Sequence, residues 1–398
     1  MTIDLTEWLN LAIRWLHLTA GIAWIGSSFY FVWLDNHLAP PESGEASGEL
    51  WSVHGGGFYH NQKYQVAPSQ MPDRLHWFKW EAYFTWISGF SLLVLIYYVG
   101  AQNFLIDPAK AALSPAQAIA IGLAALTVGW LVYDLLCRSP LGANNRVLGV
   151  AWFAFLLLAA MMLDSVFNAR AAYMHVGAMM GTAMVANVFF VIIPNQRKVV
   201  ADLVAGRTPD PALGKAAKQR SLHNNYMTLP VLFVMISNHY PMTYGAERPW
   251  LVLALLGLTG VAVRHVFNLR HRGQATGAAM AVAVALAFAS VTYVSFEKLP
   301  AAEPAMGGVT VKNPVYADIR PILATHCAAC HSLHPSNPAF TAPPLGVVLD
   351  SYDHVRALSP RIRRVAVDSQ IMPLGNATGM TSAERRKLGA WIAAGTPQ

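Results

Sequence analysis

Long apolar runs separated by short polar stretches recur from the N-terminus to about residue 296 and then stop. A helix crosses the hydrocarbon core of a bilayer in about 20 predominantly apolar residues. On that measure the chain is expected to carry eight spans: Trp8 to Leu34, Trp80 to Gly100, Ala116 to Leu136, Arg146 to Phe167, Ala171 to Pro194, Asn225 to Tyr240, Pro249 to Leu269 and Thr276 to Phe296. The sixth is short, carries Pro230 and is flanked by His223-Asn224-Asn225 and Asn238-His239. It reads either as an interrupted helix lining a cavity or as a short buried helix. Beyond residue 296 the pattern changes. Glu297 to Thr310 is rich in Pro, Ala and Gly and reads as a tether. Asn313 to Thr325 and Ala383 to Ala394 read as helices, the latter with Leu388, Trp391 and Ile392 at helical spacing. The organisation expected is a transmembrane domain over 1–296, a tether over 297–310 and a small globular domain over 311–398.

Composition agrees with a polytopic membrane protein: 55% of residues are hydrophobic and 12% charged. The net charge of +7 does not indicate nucleic acid, because the basic residues cluster between apolar runs instead of forming a stripe with interleaved aromatics. They report topology. The loops after spans one, three, five and seven hold Lys63, Arg74 and Lys79; Arg138 and Arg146; Arg197, Lys198, Arg207, Lys215, Lys218 and Arg220; and Arg270 and Arg272. The alternate loops hold Lys110, Arg170 and Arg248. The positive-inside rule makes the first set cytoplasmic and puts both termini outside. The N-terminus lacks the basic stretch and small-residue cleavage site of a secretory signal, so the first span is expected to remain in the mature protein.

The sharpest chemical signal is Cys327-Ala328-Ala329-Cys330-His331, the Cys-x-x-Cys-His pattern of covalent c-type haem attachment. The thiols add to the haem vinyl groups, and the adjacent imidazole takes one axial position on iron. Met372, on the loop Gln370 to Asn376, is the expected second axial ligand. Met380 competes, but Thr381-Ser382-Ala383-Glu384 reads as a capping box, which makes Met380 a packing residue before the last helix. A zinc site would need a second ligand pair, and the remaining cysteine, Cys137, lies in a distant apolar segment. The fold expected is therefore all-α, a polytopic helical bundle followed by a small class I cytochrome c domain. C-type haem is attached outside the bacterial inner membrane, where loop charge independently places the C-terminal domain.

Ionisable residues at membrane depth are functional candidates. Arg14, His17, Asp164, His175 and His239 fall towards one side; Asp35, Glu81, Asp134, Arg264 and His265 fall towards the other, with Asn187 deeper. The long first loop joins His54-Gly55-Gly56-Gly57-Phe58-Tyr59-His60 to Pro72-Asp73-Arg74-Leu75-His76-Trp77-Phe78-Lys79-Trp80-Glu81. It reads as a lid for a flat, anionic, aromatic substrate or as an interfacial aromatic belt.

Together, Trp15-Leu16-His17, Gly21 to Tyr30, His76 to Tyr83, His223 to Pro230 and the terminal Cys-x-x-Cys-His stretch resemble the membrane-bound, cytochrome-c-fused urate oxidases, or urate hydroxylases of the PuuD type. The resemblance covers essentially the whole chain. It implies oxidation of urate to 5-hydroxyisourate in purine breakdown, with electrons leaving through the fused haem to the respiratory chain by way of a periplasmic cytochrome c or a terminal oxidase. The haem ligands that transfer are Cys327, Cys330, His331 and Met372. The chemistry of the ring then selects Glu81 and His223 for proton transfer, and Lys79, Asn224 and Arg264 for holding the purine. If urate binds on the cytoplasmic side, electrons must cross much of a core about 30 Å thick. A haem b on His17 and His175 would help bridge it, while urate binding beside haem c is the simpler alternative. The rival classes are a dehydrogenase for quinol or another small reductant, and a non-catalytic electron conduit.

Overall fold

The computed structural model describes residues 5–42, 44–64, 67–108, 110–296, 314–337, 340, 342–368 and 370–398. The expected tether lies outside the described residues. Helix α1 (Leu5–His37) is followed by two strands, β1 (Gly48–His54) and β2 (Gly57–Lys63), and then by α2 (Trp80–Leu93). Wider turns continue α2 through Val94–Tyr98, and α3 (Ala101–Phe104) is a single turn. Next come α4 (Pro115–Arg138) and α5 (Asn145–Val166). Helix α6 (Ala169–Ala186) runs on through Asn187–Ile192 into α7 (Ile193–Val204). The bundle is completed by α8 (Pro211–Ser237), α9 (Pro241–Tyr244), α10 (Pro249–His271) and α11 (Gly277–Phe296).

Side chains set these starts. Ser114 accepts from the Gln117 N–H and Gln117 reaches back to Ser114, a capping box ahead of Pro115 at the first helical position. Asn144, Asn168 and Asp210 cap α5, α6 and α8 by accepting first-turn N–H groups.

Among the described residues, five helical stretches are long and apolar enough to cross a membrane: α4, α5, the continuous α6–α7, α10 and α11. The other three expected spans fall on helices too, but α1, α2 and α8 carry Trp, His, Ser, Asn or Arg within them. The sixth differs most from expectation. Instead of starting at Asn225, α8 starts at Pro211 and runs unbroken through Pro230. Gly260 of α10 lies against that stretch, where a Cβ would come within 3.1 Å of the Pro230 nitrogen.

Helix α6 is the centre of the bundle, packed by α2, α4, α5, α8 and α10. Its small residues let neighbours approach closely, as apolar helix packing favours. A Cβ on Gly177 would meet Val234 of α8 at 2.5 Å, and one on Gly122 of α4 would meet His175 at 2.6 Å. Antiparallel pairing of α1 and α2 sets His17 beside Thr85 and Ser88 at one end, and Phe31 against Phe78 at the other.

The all-α expectation is corrected in the first loop. Strands β1 and β2 form an antiparallel hairpin in which His54 pairs with Gly57. The two intervening residues, Gly55 and Gly56, have φ of 59° and 81°. That backbone matches the right-handed twist of a two-residue hairpin and is open to glycine. Trp51 stacks on His60 across the strands at 4.2 Å, and Lys63 bonds Asp35 at 2.7 Å, tying the hairpin to the C-terminal end of α1.

The C-terminal unit contains α12 (Tyr316–His326), α13 (Tyr352–Ala357), α14 (Ser359–Ile362) and α15 (Ser382–Ala393). Ile319, Leu323, Val355, Leu388 and Trp391 form its core, with Met380 buried among them. The unit touches the bundle at α3: Leu374–Asn376 lies against it, Phe340 meets Phe104 at 6.1 Å, and Ile371 packs onto the bundle core. The Thr381–Glu384 capping box is present. It draws the Glu384 carboxyl down to about 2, chiefly through the Thr381 backbone N–H and hydroxyl and then through His326. A carboxyl held below its unfolded value near ~4.3 lends stability above that pH and loses it as pH falls towards its folded value. Protection of α15 amides from hydrogen exchange is therefore expected to drop from about pH 4.5 towards pH 2. In Glu384→Gln it should be weaker at pH 6 and flat across that window.

Candidate functional site

Among the described residues, three places gather chemistry. The first follows α12. Cys327 and Cys330 are free thiols in one turn, in which the His331 N–H donates to the Cys327 carbonyl at 2.9 Å. Burial pushes the Cys327 thiol up to about 11. His331 Nδ1–H donates to the Val347 carbonyl at 3.1 Å, which fixes the tautomer and leaves Nε2 as the free ligand atom. The buried Arg385 donates to the Met372 carbonyl at 2.6 Å and to Asn376 Oδ1 at 3.1 Å, so the Met372 loop is held from below. These residues fit a covalent haem: two thiols, a nitrogen with its lone pair free and a partly buried thioether. Zinc would want a second ligand pair beside the two thiols. Cys137 is in α4, its sulfur 3.9 Å from His223.

The second place is the end of the bundle near the C-terminus of α1, where α8 presents two polar clusters on different faces. On one face, Asn187 Nδ2 donates to Tyr133 Oη at 3.1 Å and to Asn224 Oδ1 at 2.8 Å. Arg220 donates to Asn187 Oδ1 at 3.2 Å and to Asp134 at 2.7 Å, and Asp134 also binds Arg138. His223 bonds the Tyr133 hydroxyl at 2.8 Å and Asn145 Oδ1 at 3.1 Å, while Asn224 Nδ2 donates to the Met184 carbonyl. Every side chain of this cluster is paired. It is a closed network, and its members have their bonding capacity committed to one another.

The other face differs. Arg264 Nε and Asn268 Nδ2 both donate to Asn225 Oδ1, at 3.0 and 2.9 Å. The guanidinium lies 3.8 Å from the centre of the Phe29 ring. Three polar atoms of this one cluster are buried with no partner among the described residues: Arg264 Nη2, Asn225 Nδ2 and Asn268 Oδ1. Beside them, the Tyr226 hydroxyl bonds His265 Nδ1 at 2.7 Å. The set offers a cation, an amide donor, an amide acceptor and an aromatic face.

The third place is a cavity of about 390 Å³ between α1, α2, α6 and α8. Its wall is largely apolar, and His17, Arg14, Arg170, Asn238 and His239 supply polar groups.

The structure thus separates the residues that sequence reasoning selected. His223 and Asn224 belong to the closed network, and Arg264 to the open cluster. Lys79 lies over the Trp80 ring at 5.4 Å, and Glu81 is half-buried at the start of α2; among the described residues neither joins a cluster. His17 lines the cavity, whereas His175 is fully buried away from it, bonded to the Ala171 carbonyl and the Tyr98 hydroxyl. Asn225 is expected from sequence as a polar candidate at the mouth of the sixth span but not among the purine-holding residues, Asn268 is not expected at all, and Arg220 is expected only as a loop charge. The available signal was the four-residue spacing of Arg264 with Asn268 and of Arg220 with Asn224, which puts each pair on one helix face.

Among the described residues, a bundle with five helices long and apolar enough for a membrane and polar clusters inside it, joined to a C-terminal unit with two neighbouring thiols and an imidazole, makes a mostly helical protein compatible with membrane insertion. The family model for the urate oxidase N-terminal region matches residues 3–295. The chain belongs to that family. No curated protein and no solved structure matches it.

The closed network predicts unequal costs for its two arginines. Removing one partner of a buried ion pair costs about 3–5 kcal/mol, and removing an exposed one under about 1 kcal/mol. Arg220 is buried and Arg138 largely exposed. Arg220→Ala is expected to lower the thermal midpoint of the detergent-solubilised chain far more than Arg138→Ala.

Proposed function

We propose that the chain oxidises urate to 5-hydroxyisourate within the bacterial inner membrane and passes the electrons to a haem c held by Cys327, Cys330, His331 and Met372. The observation that carries this reading is the open cluster inside a domain of the urate oxidase N-terminal family. Urate is a flat anion edged with alternating carbonyl and N–H groups. Arg264 Nη2 and Asn225 Nδ2 are two bare donors for its carbonyl edge, Asn268 Oδ1 is a bare acceptor for a ring N–H, and Phe29 offers a face for stacking. A buried donor or acceptor left unpaired costs about 1–3 kcal/mol, so a ligand that pairs all three recovers several kcal/mol.

The reaction balances as urate plus water giving 5-hydroxyisourate, two protons and two electrons. Loss of the electrons makes C5 electrophilic enough for water to add, and a base must take the protons. His265, the residue after Arg264 on α10 and bonded to the Tyr226 hydroxyl, is an exposed imidazole at this end of the bundle that can relay the protons to water. His223 shares the same end of the bundle, yet both its nitrogens are engaged. Lys79 and Glu81, at the start of α2, lie at this same end of the bundle. A haem c supplies a one-electron acceptor, so the two electrons leave singly.

Loop charge supports a cytoplasmic position for this end of the bundle and a periplasmic one for both termini. All eight expected spans then cross the membrane, with His17 of α1, Ser88 of α2 and Asn224 and Asn225 of α8 turned towards neighbouring helices. A periplasmic cytochrome c or terminal oxidase takes the electrons onward.

The test is anaerobic mixing of the oxidised full chain with urate while the haem α band is followed. Reduction of the band with stoichiometric 5-hydroxyisourate is expected. A band that stays oxidised with urate but is reduced by a quinol would overturn the reading in favour of a quinol dehydrogenase.

A further inference from the structure

The cavity bounded by α1, α2, α6 and α8 is not used by the substrate site. Its wall carries one group built like a metal ligand. His17 Nδ1 lies 2.9 Å from the Thr85 carbonyl oxygen and 3.1 Å from Ser88 Oγ. A carbonyl can only accept, so Nδ1 carries the proton, and the lone pair sits on Nε2, which has no partner among the described residues. This is the arrangement that orients a metal-binding imidazole through its other nitrogen. The Ser88 hydroxyl in turn bonds the α2 backbone. Gly89 gives the ring its place, since a Cβ there would stand 2.8 Å from His17 Cε1.

The remaining walls suit a flat, apolar macrocycle. Gly181 faces open space within 4 Å of its missing side chain, and Gly21 meets one methyl group at 4.0 Å. Trp86 and Phe90 stack at 5.2 Å along the α2 side. A volume of about 390 Å³ falls in the range of cofactor sites. Arg14 and Arg170 lie on the lining at the end near Tyr97, where two carboxylates of a ligand would find cations. His239 is the other imidazole on the lining.

We infer that this cavity is a site for a non-covalent haem b with His17 as an axial ligand of its iron. The position makes electrical sense. His17 and Phe29 are twelve residues apart on α1, about 18 Å at 1.5 Å per residue. Tyr97, on the cavity wall, lies one turn before α3, onto which the loop carrying Met372 docks. A haem held there would accept one electron at a time from the end carrying the open cluster, going from ferric to ferrous, and would return to ferric on passing that electron to a haem on Cys327 and Cys330. No bond is made or broken. The site rests on its own geometry and stands whichever small molecule is the reductant.

The test is a pyridine haemochrome assay on the purified full chain, before and after acid–acetone extraction. About one extractable haem b and one retained haem c per chain are expected. His17→Ala is expected to lose the extractable haem while keeping the covalent haem and the helical circular dichroism of the parent. Gly181→Leu, which fills the slot and leaves the ligand in place, is expected to lower the extractable haem severalfold. Haem c alone in the parent, extractable haem that survives both substitutions, or an organic extract holding stoichiometric quinone and no haem b would each overturn the inference.

Discussion

A polar atom buried in an apolar bundle must find a partner, and the organisation of this protein follows from where that requirement is met and where it is not. The two faces of α8 show both outcomes within consecutive residues. Asn224 joins a network in which Asn187, Tyr133, Arg220 and Asp134 are paired with one another. Asn225, the next residue, joins Arg264 and Asn268 in a cluster with three bare atoms. The closed network clamps helices together. The open one keeps unspent hydrogen-bonding capacity, which is the property a binding site for a polar, flat anion requires.

The clamp depends on an irregularity in the central helix. Between Asn187 and Ile192 the turns of α6 widen, and the Met184 carbonyl at that point also accepts from Asn224. Wide turns of this kind recur at functional sites, because they re-aim side chains without ending the helix. Here the widening sets Asn187 among Tyr133, Arg220 and Asn224, and thereby fixes the rotation of α8 that turns Asn225 towards α10. At the far end of the bundle, the same α1 that supplies Phe29 to the open cluster supplies His17 to the cavity. One helix therefore connects the end that carries the open cluster to the end on which the C-terminal unit docks.

Much of this organisation is legible in the sequence, for identifiable reasons. Apolar runs mark α4, α5, α6, α10 and α11 because length and hydropathy alone suffice there. Thr381 and Glu384 announce the last helix because a capping box is a local hydrogen-bond pattern. The hairpin was written in Gly55-Gly56 between Trp51, Val53 and Phe58, but the same glycines also read as a flexible lid, and only pairing partners distinguish the two. Amides inside apolar helices have no motif. Asn225 and Asn268 matter because α8 and α10 bring them together, and that contact is tertiary. The same holds for the histidines: His17 and His175 are equivalent in sequence, and only the fold gives one a cavity and the other a tyrosine.

The central claim, that the cluster of Arg264, Asn225 and Asn268 holds the purine, is tested most directly by equilibrium binding of labelled urate to the full chain with its haem reduced beforehand, so that no turnover occurs. Removing a charge-assisted hydrogen bond costs about 1.5–3 kcal/mol, so Arg264→Gln is expected to weaken binding by about ten- to a hundredfold, and Asn268→Leu by about tenfold. Asn224→Leu, in the closed network, should leave the affinity of the folded protein nearly unchanged. Parental affinity in Arg264→Gln and Asn268→Leu would contradict the account.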